Sequence, residues 1–180
     1  RYLNIVLNEA KRLTKLTTSL LELNDFDTYG PILKKQNFDV VDVIRETRNT
    51  LEGVFEKKKI DFEIKCPAED TVIYADKMKI GQVIHNLLDN AIKFTPENGK
   101  VTVTGTAGKD EISVTVEDDG IGMSEETLKH VFEQFYRGDT ENRYEGSGLG
   151  LSLVQRIVQM HGGTVMAESE AGSGSIFMVI

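Results

Sequence analysis

Two pairs of short segments alternate apolar and polar residues in the manner of strands. KVTVTGTA (100–107) and EISVTVED (111–118) flank Gly108-Lys109-Asp110, and GTVMAESE (163–170) and GSIFMVI (174–180) flank Gly172 to Gly174. Each pair reads as a hairpin, and a sheet built of hairpins with one apolar face has to bury that face. The segments available to cover it have helical spacing. One runs from Phe38 to Lys57, with Phe38, Val41, Ile44, Leu51, Val54 and Phe55; another runs from Lys77 to Phe94 and is ended by Thr95-Pro96. A short helix is predicted over Glu125 to Phe132 with Ser124 as its cap, and a longer one over Leu149 to Met160. Two brief extended runs, IDFEIKC and TVIYA, lie between the first two helices. Strands and helices in mixed order, with hairpins outnumbering crossovers, predict an α+β fold. The expected form is a two-layer sandwich of a mixed β-sheet on helices, preceded by an N-terminal helix.

That N-terminal arm carries Leu3, Val6, Ala10, Leu13, Thr17, Leu20 and Asn24 at 3-4-3-4 spacing, a heptad seam widened by Leu7, Leu16 and Leu23. So apolar a stripe needs a partner, either the chain's own body or a second helix in an intermolecular bundle. The linker NDFDTYGPILKKQN breaks at Gly30-Pro31. The expected division is an arm and linker over residues 1–35 and a body over 36–180. Of the 180 residues 39% are hydrophobic and 28% charged, as in a folded globular protein, and the net charge of −8 argues against a general nucleic-acid binder. Cys66 is the only cysteine, which excludes an internal disulfide and a thiolate zinc cluster and favours a reducing compartment. The chain begins at Arg1 and ends on an apolar run, and it reads as a piece of a longer protein.

Three motifs carry chemistry. HNLLDNAIKFTP sets Asn86 and Asn90 four residues apart and Lys93 three further, a polar stripe on a helix otherwise bound for a core. EDDGIGM follows a strand. Gly120 and Gly122, after Asp118 and Asp119, let the backbone turn sharply and approach a ligand; a carboxylate at a pocket mouth can accept a hydrogen bond from an exocyclic amine, which is a way to tell adenine from guanine, while acidic and glycine residues also make plain turns. EGSGLGLSLV places Gly146, Gly148 and Gly150 at the start of a helix, where loop amides and the helix dipole attract anions. It is not a P-loop, because no Gly-Lys-Ser/Thr follows, nor a dinucleotide fingerprint.

In this order, HNLLDNAIKF, DDGIGM, VFEQFYR and GSGLGL resemble the N, G1, F and G2 boxes of sensor histidine kinases, whose ATP-binding superfamily includes DNA gyrase, MutL proteins and a heat-shock chaperone. MHGG and GSGSIF are also similar to this family, and the arm resembles the second helix of the kinase dimerisation domain. The resemblance implies a site for ATP and Mg²⁺. Asn90 would offer its side-chain oxygen to the metal, Asn86 would reach the phosphates or the metal's waters, and Lys93 would add positive charge. Asp118 would accept from the adenine amino group, Gly120 and Gly122 would make room for base and sugar, and Ile121 and Met123 would wall the pocket. Phe132 and Phe135 resemble the aromatics that anchor the lid, with ordinary core packing the rival reading. Arg137 and Arg143 fall where family members place basic residues near phosphate. Gly146, Gly148, Leu149 and Gly150 would wrap the triphosphate, and Ser175 would hold a water against adenine.

None of His85, His130 and His161 stands in the H-E/D-x-R/K-x-P context of a phosphoacceptor, so the acceptor is expected upstream. His161, at a helix end, is expected to suit the helix dipole. The resemblance implies a protein-histidine kinase fragment unable to label itself, with a response regulator as downstream partner and a homodimer through the arm. It would lie in the cytoplasm as part of a membrane-anchored parent. The alternatives are an ATPase of the gyrase or MutL kind and a nucleotide-dependent interaction module without transfer. The hydrolases carry a glutamate where this chain has Asn86, and an amide is no general base.

Overall fold

In the computed structural model, residues 6–7, 9–10, 13–14, 16–18, 20–21, 33–66, 71–108, 111–138 and 146–180 are described. Their elements are β1 (Gln36–Asp39), α1 (Val40–Lys58), β2 (Asp61–Lys65), β3 (Val72–Ala75), α2 (Lys77–Phe94), β4 (Lys100–Ala107), β5 (Ile112–Asp118), α3 (Glu125–His130), α4 (Gly150–Met160), β6 (Val165–Glu170) and β7 (Gly174–Val179). The five-stranded sheet has the order β2-β4-β5-β7-β6. Both expected hairpins form in it, and β2 joins β4 in parallel, which makes the sheet mixed. The helices lie in a second layer on one face of this sheet, so the α+β sandwich is found as expected.

The core fills the space between the layers. Ile44 of α1, Ile84, Leu87 and Leu88 of α2, Leu153 and Ile157 of α4, and Val101, Val103 and Val116 of the sheet are each at most 2% exposed. Helix α2 begins where the Asp76 side chain accepts from the Lys79 amide, 3.2 Å away. It ends at Phe94, as Thr95-Pro96 dictates.

Two helix boundaries differ by two residues from what the sequence predicts. Phe38 lies in β1, not in a helix. The Asp39 carboxylate accepts from the Val41 amide at 2.8 Å and from the Thr71 hydroxyl at 2.7 Å, so α1 starts only at Val40. Strand β3 pairs with β1 in a separate two-stranded sheet. Helix α3 stops at His130, which leaves Phe132 beyond it; Ser124 caps it as expected, accepting from the Thr127 amide. Val54, counted among the apolar stripe, is 46% exposed.

The described positions from 6 to 21 are helical. Leu16 and Leu20, one turn apart, pack against the body's core, whereas Val6, Leu7, Leu13 and Leu21 are exposed. The arm therefore divides its apolar residues between the chain's own body and solvent. Among the described residues, no helix is long and apolar enough to cross a membrane.

Candidate functional site

The inner face of the sheet changes character along its strands. On β5, Val114 and Val116 point into the core, and Asp118 is next on the same face. Its cross-strand neighbour on β7 is Ser175, and Phe177 is the next inward residue after that. Asp118 is 5% exposed. Burial pushes its carboxyl up to about 6; hydrogen bonds from the Gly120 and Ser175 backbones act in the opposite sense, and the charges of Asp119 and Glu117 add to the rise. Asp119 has a different task, for its Oδ1 accepts from the Lys100 amide at 2.7 Å and closes the strand end. The two adjacent carboxylates thus have separate surroundings, Asp118 inside and Asp119 at the strand end.

The glycine turn after Asp118 is tied on every side to the protein. The Gly120 amide donates to Asp118 Oδ1 at 2.9 Å, Ile121 N–H to the Phe94 carbonyl at 3.2 Å, Gly172 N–H to the Ile121 carbonyl at 2.7 Å, and Met123 N–H to Ser169 Oγ at 2.9 Å. A Cβ on Gly120 would meet Asp118 Oδ1 and the Phe94 carbonyl at 2.6 Å. Gly122 has φ +62°, and a Cβ there would collide with the Glu170 carbonyl. The close approach that demands glycine is thus one of the chain to itself. Ile121 is half-buried, and Met123 packs against the core.

Opposite this turn stands the polar stripe of α2. Asn86 is buried and Asn90 half-buried, and neither side-chain amide hydrogen-bonds to another described residue. The stripe faces the second glycine loop. A Cβ on Gly150 would lie 3.5 Å from Asn86 Oδ1, and one on Gly146 would lie 2.7 Å from Lys93 Nζ. The Lys93 ammonium also sits 4.6 Å above the Phe94 ring. Helix α4 starts at Gly150 after Leu149, which is buried and offers no side-chain cap, so its first-turn amides are directed at this gap. The Phe135 amide donates to the Gly148 carbonyl at 2.9 Å.

Phe132 and Phe135 differ in their surroundings. Phe132 packs against the core and meets Phe177 edge-on at 6.5 Å between ring centroids, while the Phe135 ring is 53% exposed. Arg137 is half-buried beside them, and Arg143 lies outside the described residues. His85 points away from the site into an open groove of about 370 Å³ between α1 and α2, walled by Glu46, Lys77 and Met78. His130 lies between Glu133, at 2.7 Å, and Glu126, at 3.3 Å, and the hydrogen bond and charge of Glu133 hold its ring above the usual imidazole range. His161 stands at the C-terminal end of α4. It approaches the Ile157 carbonyl through Nδ1 at 2.8 Å and accepts at Nε2 from the Asp76 amide at 3.1 Å. Through these two contacts the ring ties the end of α4 to the start of α2.

Two residues that sequence reasoning passed over matter to the site. Lys58 at the end of α1 donates to the carbonyls of Ile92, Lys93 and Thr95 at 2.6, 3.1 and 2.8 Å, and burial holds its ammonium below the usual lysine range. Ser169 grips the first glycine turn through Met123. Neither has a signal in the local sequence, since Lys58 stands more than thirty residues from its partners.

As for a metal, no group of three or more His, Cys, Asp or Glu side chains among the described residues is placed to hold an ion. The donors facing the gap are the amides Asn86 and Asn90. That set fits Mg²⁺, a hard ion that keeps several waters and takes phosphate oxygens, and does not fit a metal that demands a full protein cage.

Residues 75–180 match the family described as histidine kinase-, DNA gyrase B-, and HSP90-like ATPase. The sensor protein RprX of Bacteroides fragilis is 36% identical over 179 residues, which are 97% of this chain and 34% of RprX. The chain spans about a third of the length of the curated relatives it matches. Among solved structures, the catalytic domain of histidine kinase ThkA superposes with a TM-score of 0.72 at 33% identity, covering 81% of this chain and 93% of that domain. ThkA in complex with the response regulator protein TrrA gives 0.78 at 31% identity, over 99% of this chain and 49% of that one. Full-length ShkA in complex with AMPPNP gives 0.86 at 26% identity, over 99% of this chain and 37% of that one.

Proposed function

This chain belongs to the histidine kinase-, DNA gyrase B- and HSP90-like ATPase family, among the ATP-binding catalytic domains of sensor histidine kinases, and from that premise we propose that it presents the γ-phosphate of Mg-ATP to a histidine elsewhere in its parent protein. A response regulator then takes the phosphoryl group from that histidine, a reading supported by the ThkA–TrrA complex. Residues 36–180 are the catalytic unit, and residues 1–35 are an arm and linker through which two copies pair. The parent is anchored in a membrane with this part in the cytoplasm.

The observation that carries the reading is Asn86, whose Oδ1 stands against Gly150 at the start of α4, with Asn90 one turn further along the same face of α2 and neither side-chain amide hydrogen-bonded to another described residue. The triphosphate lies in that gap. Lys93 and the first amides of α4 neutralise its charge, and Gly146, Gly148, Leu149 and Gly150 follow its outline. Asn90 would hold Mg²⁺ through its side-chain oxygen and Asn86 would reach the phosphates or the metal's waters; the ion would supply further positive charge there. Asp118, ionised, accepts from the adenine amine beside Ile121 and Ser175. Arg137 and Arg143 stand on the lid side, and Phe132 anchors the lid to the sheet, with Phe135 held through its backbone. The bond from the γ-phosphorus to the bridging oxygen breaks, ADP leaves, and a phosphorus–nitrogen bond forms on the acceptor imidazole. The chain's own part is to position and to neutralise.

The test is to incubate the chain with γ-labelled ATP and Mg²⁺, alone and with the separately produced acceptor segment of its parent. Acid-labile label is expected on the acceptor and none on this chain. Released phosphate should be slow, because Asn86 cannot activate water and the missing base costs about 10²–10⁴-fold. Brisk hydrolysis by the chain alone would establish the hydrolase reading instead. ATP binding with no label on any acceptor would establish the interaction module.

A further inference from the structure

Ser169, Ser175, Asp118 and Val101 form one row across four strands, through the register pairs Ser169↔Ser175, Ser175↔Asp118 and Asp118↔Val101. Directly opposed residues carry their side chains on the same face. This row is where the apolar inner face of the sheet turns polar.

Ser169 Oγ has three partners. The Met123 amide lies at 2.9 Å, the Gly174 carbonyl oxygen at 2.7 Å and Ser175 Oγ at 3.0 Å. A serine hydroxyl has one hydrogen and two accepting lone pairs. The carbonyl only accepts, so it takes the Ser169 hydrogen. The amide only donates, so it occupies one lone pair. The contact left over requires Ser175 to donate its own hydrogen to Ser169. Ser175, 8% exposed, then has only lone pairs to offer at its Oγ, beside a carboxylate that when ionised also only accepts.

We propose that Ser169 is a positioning residue that sets base specificity. By engaging the one hydrogen of Ser175 it makes the wall beside Asp118 acceptor-only. Such a wall matches a base that presents an exocyclic amine and opposes one that presents a carbonyl oxygen at the same place. Ser169 does this from edge strand β6 and need not touch the nucleotide. Without its hydroxyl, the Ser175 hydrogen is free to rotate and donate to a base carbonyl, and the discrimination weakens. The inference rests on the adenine-nucleotide reading above.

Titration calorimetry with ATP and with ITP, which carries oxygen in place of the amine, tests it on the whole chain. Ser169→Thr keeps the hydroxyl and should keep the ATP-to-ITP affinity ratio. Ser169→Val has the same shape without the hydroxyl and should lower that ratio about tenfold. Ser175→Ala should lower it as well, and Ser169→Val added to Ser175→Ala should lower it no further. Proportional losses for ATP and ITP in Ser169→Val would mean that Ser169 merely braces the turn, and would overturn the inference. An unchanged ratio in Ser175→Ala would overturn it too, even if the valine variant failed to fold. A wild-type chain that binds neither nucleotide would remove the nucleotide reading along with this one, so the two failures are told apart by the wild type.

Discussion

Asp118 shows at the scale of one residue how stability and binding oppose each other. Its carboxyl is shifted up to about 6 from the ordinary 3.8 by burial, an effect worth about 3 kcal/mol. A carboxyl less acidic in the folded chain than in the unfolded one favours folding while protonated. Its contribution is therefore complete below pH 3.8 and is lost as the pH rises through about 6. Accepting from an adenine amine needs the opposite form. Affinity for ATP should accordingly weaken as the pH falls below about 6, while this residue's contribution to stability grows. Asp118→Asn should remove both dependences and weaken ATP more than tenfold at pH 7.5, since a charge-assisted hydrogen bond in a pocket contributes about 1.5–3 kcal/mol. Calorimetry and urea unfolding at several pH values, on wild type and variant, would check it. A variant that keeps the wild-type profile would mean that another group titrates.

At the scale of elements, the end of α2 matters as much as its polar stripe. The last turn of a helix leaves carbonyls without partners, and here the Lys58 ammonium meets three acceptors at once. The same turn carries Lys93, and the Phe94 carbonyl holds the glycine turn through Ile121. Lys58→Met keeps the length of the side chain and leaves those carbonyls unmatched. We expect a loss of about 1–3 kcal/mol in stability by urea unfolding, together with weaker ATP binding. An equal loss of stability with ATP affinity unchanged would show that the helix end is firm without its lysine. The sequence predicts α2 over about Lys77 to Phe94, where it is found, because its period and its Thr95-Pro96 stop are local. Strand β1 was missed because Phe38 fits a helical period and only the pairing with β3 overrides it.

At the scale of the whole molecule, the arm makes two kinds of contact. Leu16 and Leu20 face the body, whereas Val6 and Leu13 of the heptad seam are exposed. If the exposed seam is the face on which two copies pair, Val6→Glu with Leu13→Glu should turn the dimer into a monomer by sedimentation and leave ATP affinity within about twofold, because charge at such a seam opposes association. A chain that sediments as a monomer before any substitution would remove the proposed pairing.

The sequence by itself determined the class of fold, the extents of α2 and of the two hairpins, and the four boxes with their order. Each depends on period or on a short motif, which neighbouring residues specify. Tertiary structure alone decided that Phe132 packs against the core while Phe135 is exposed, and that His161 bridges two helices. It alone brought Lys58 to the end of α2 and Ser169 to the glycine turn. These outcomes rest on strand register and helix packing, in which the two partners of a contact stand far apart in the chain, and no local pattern records them.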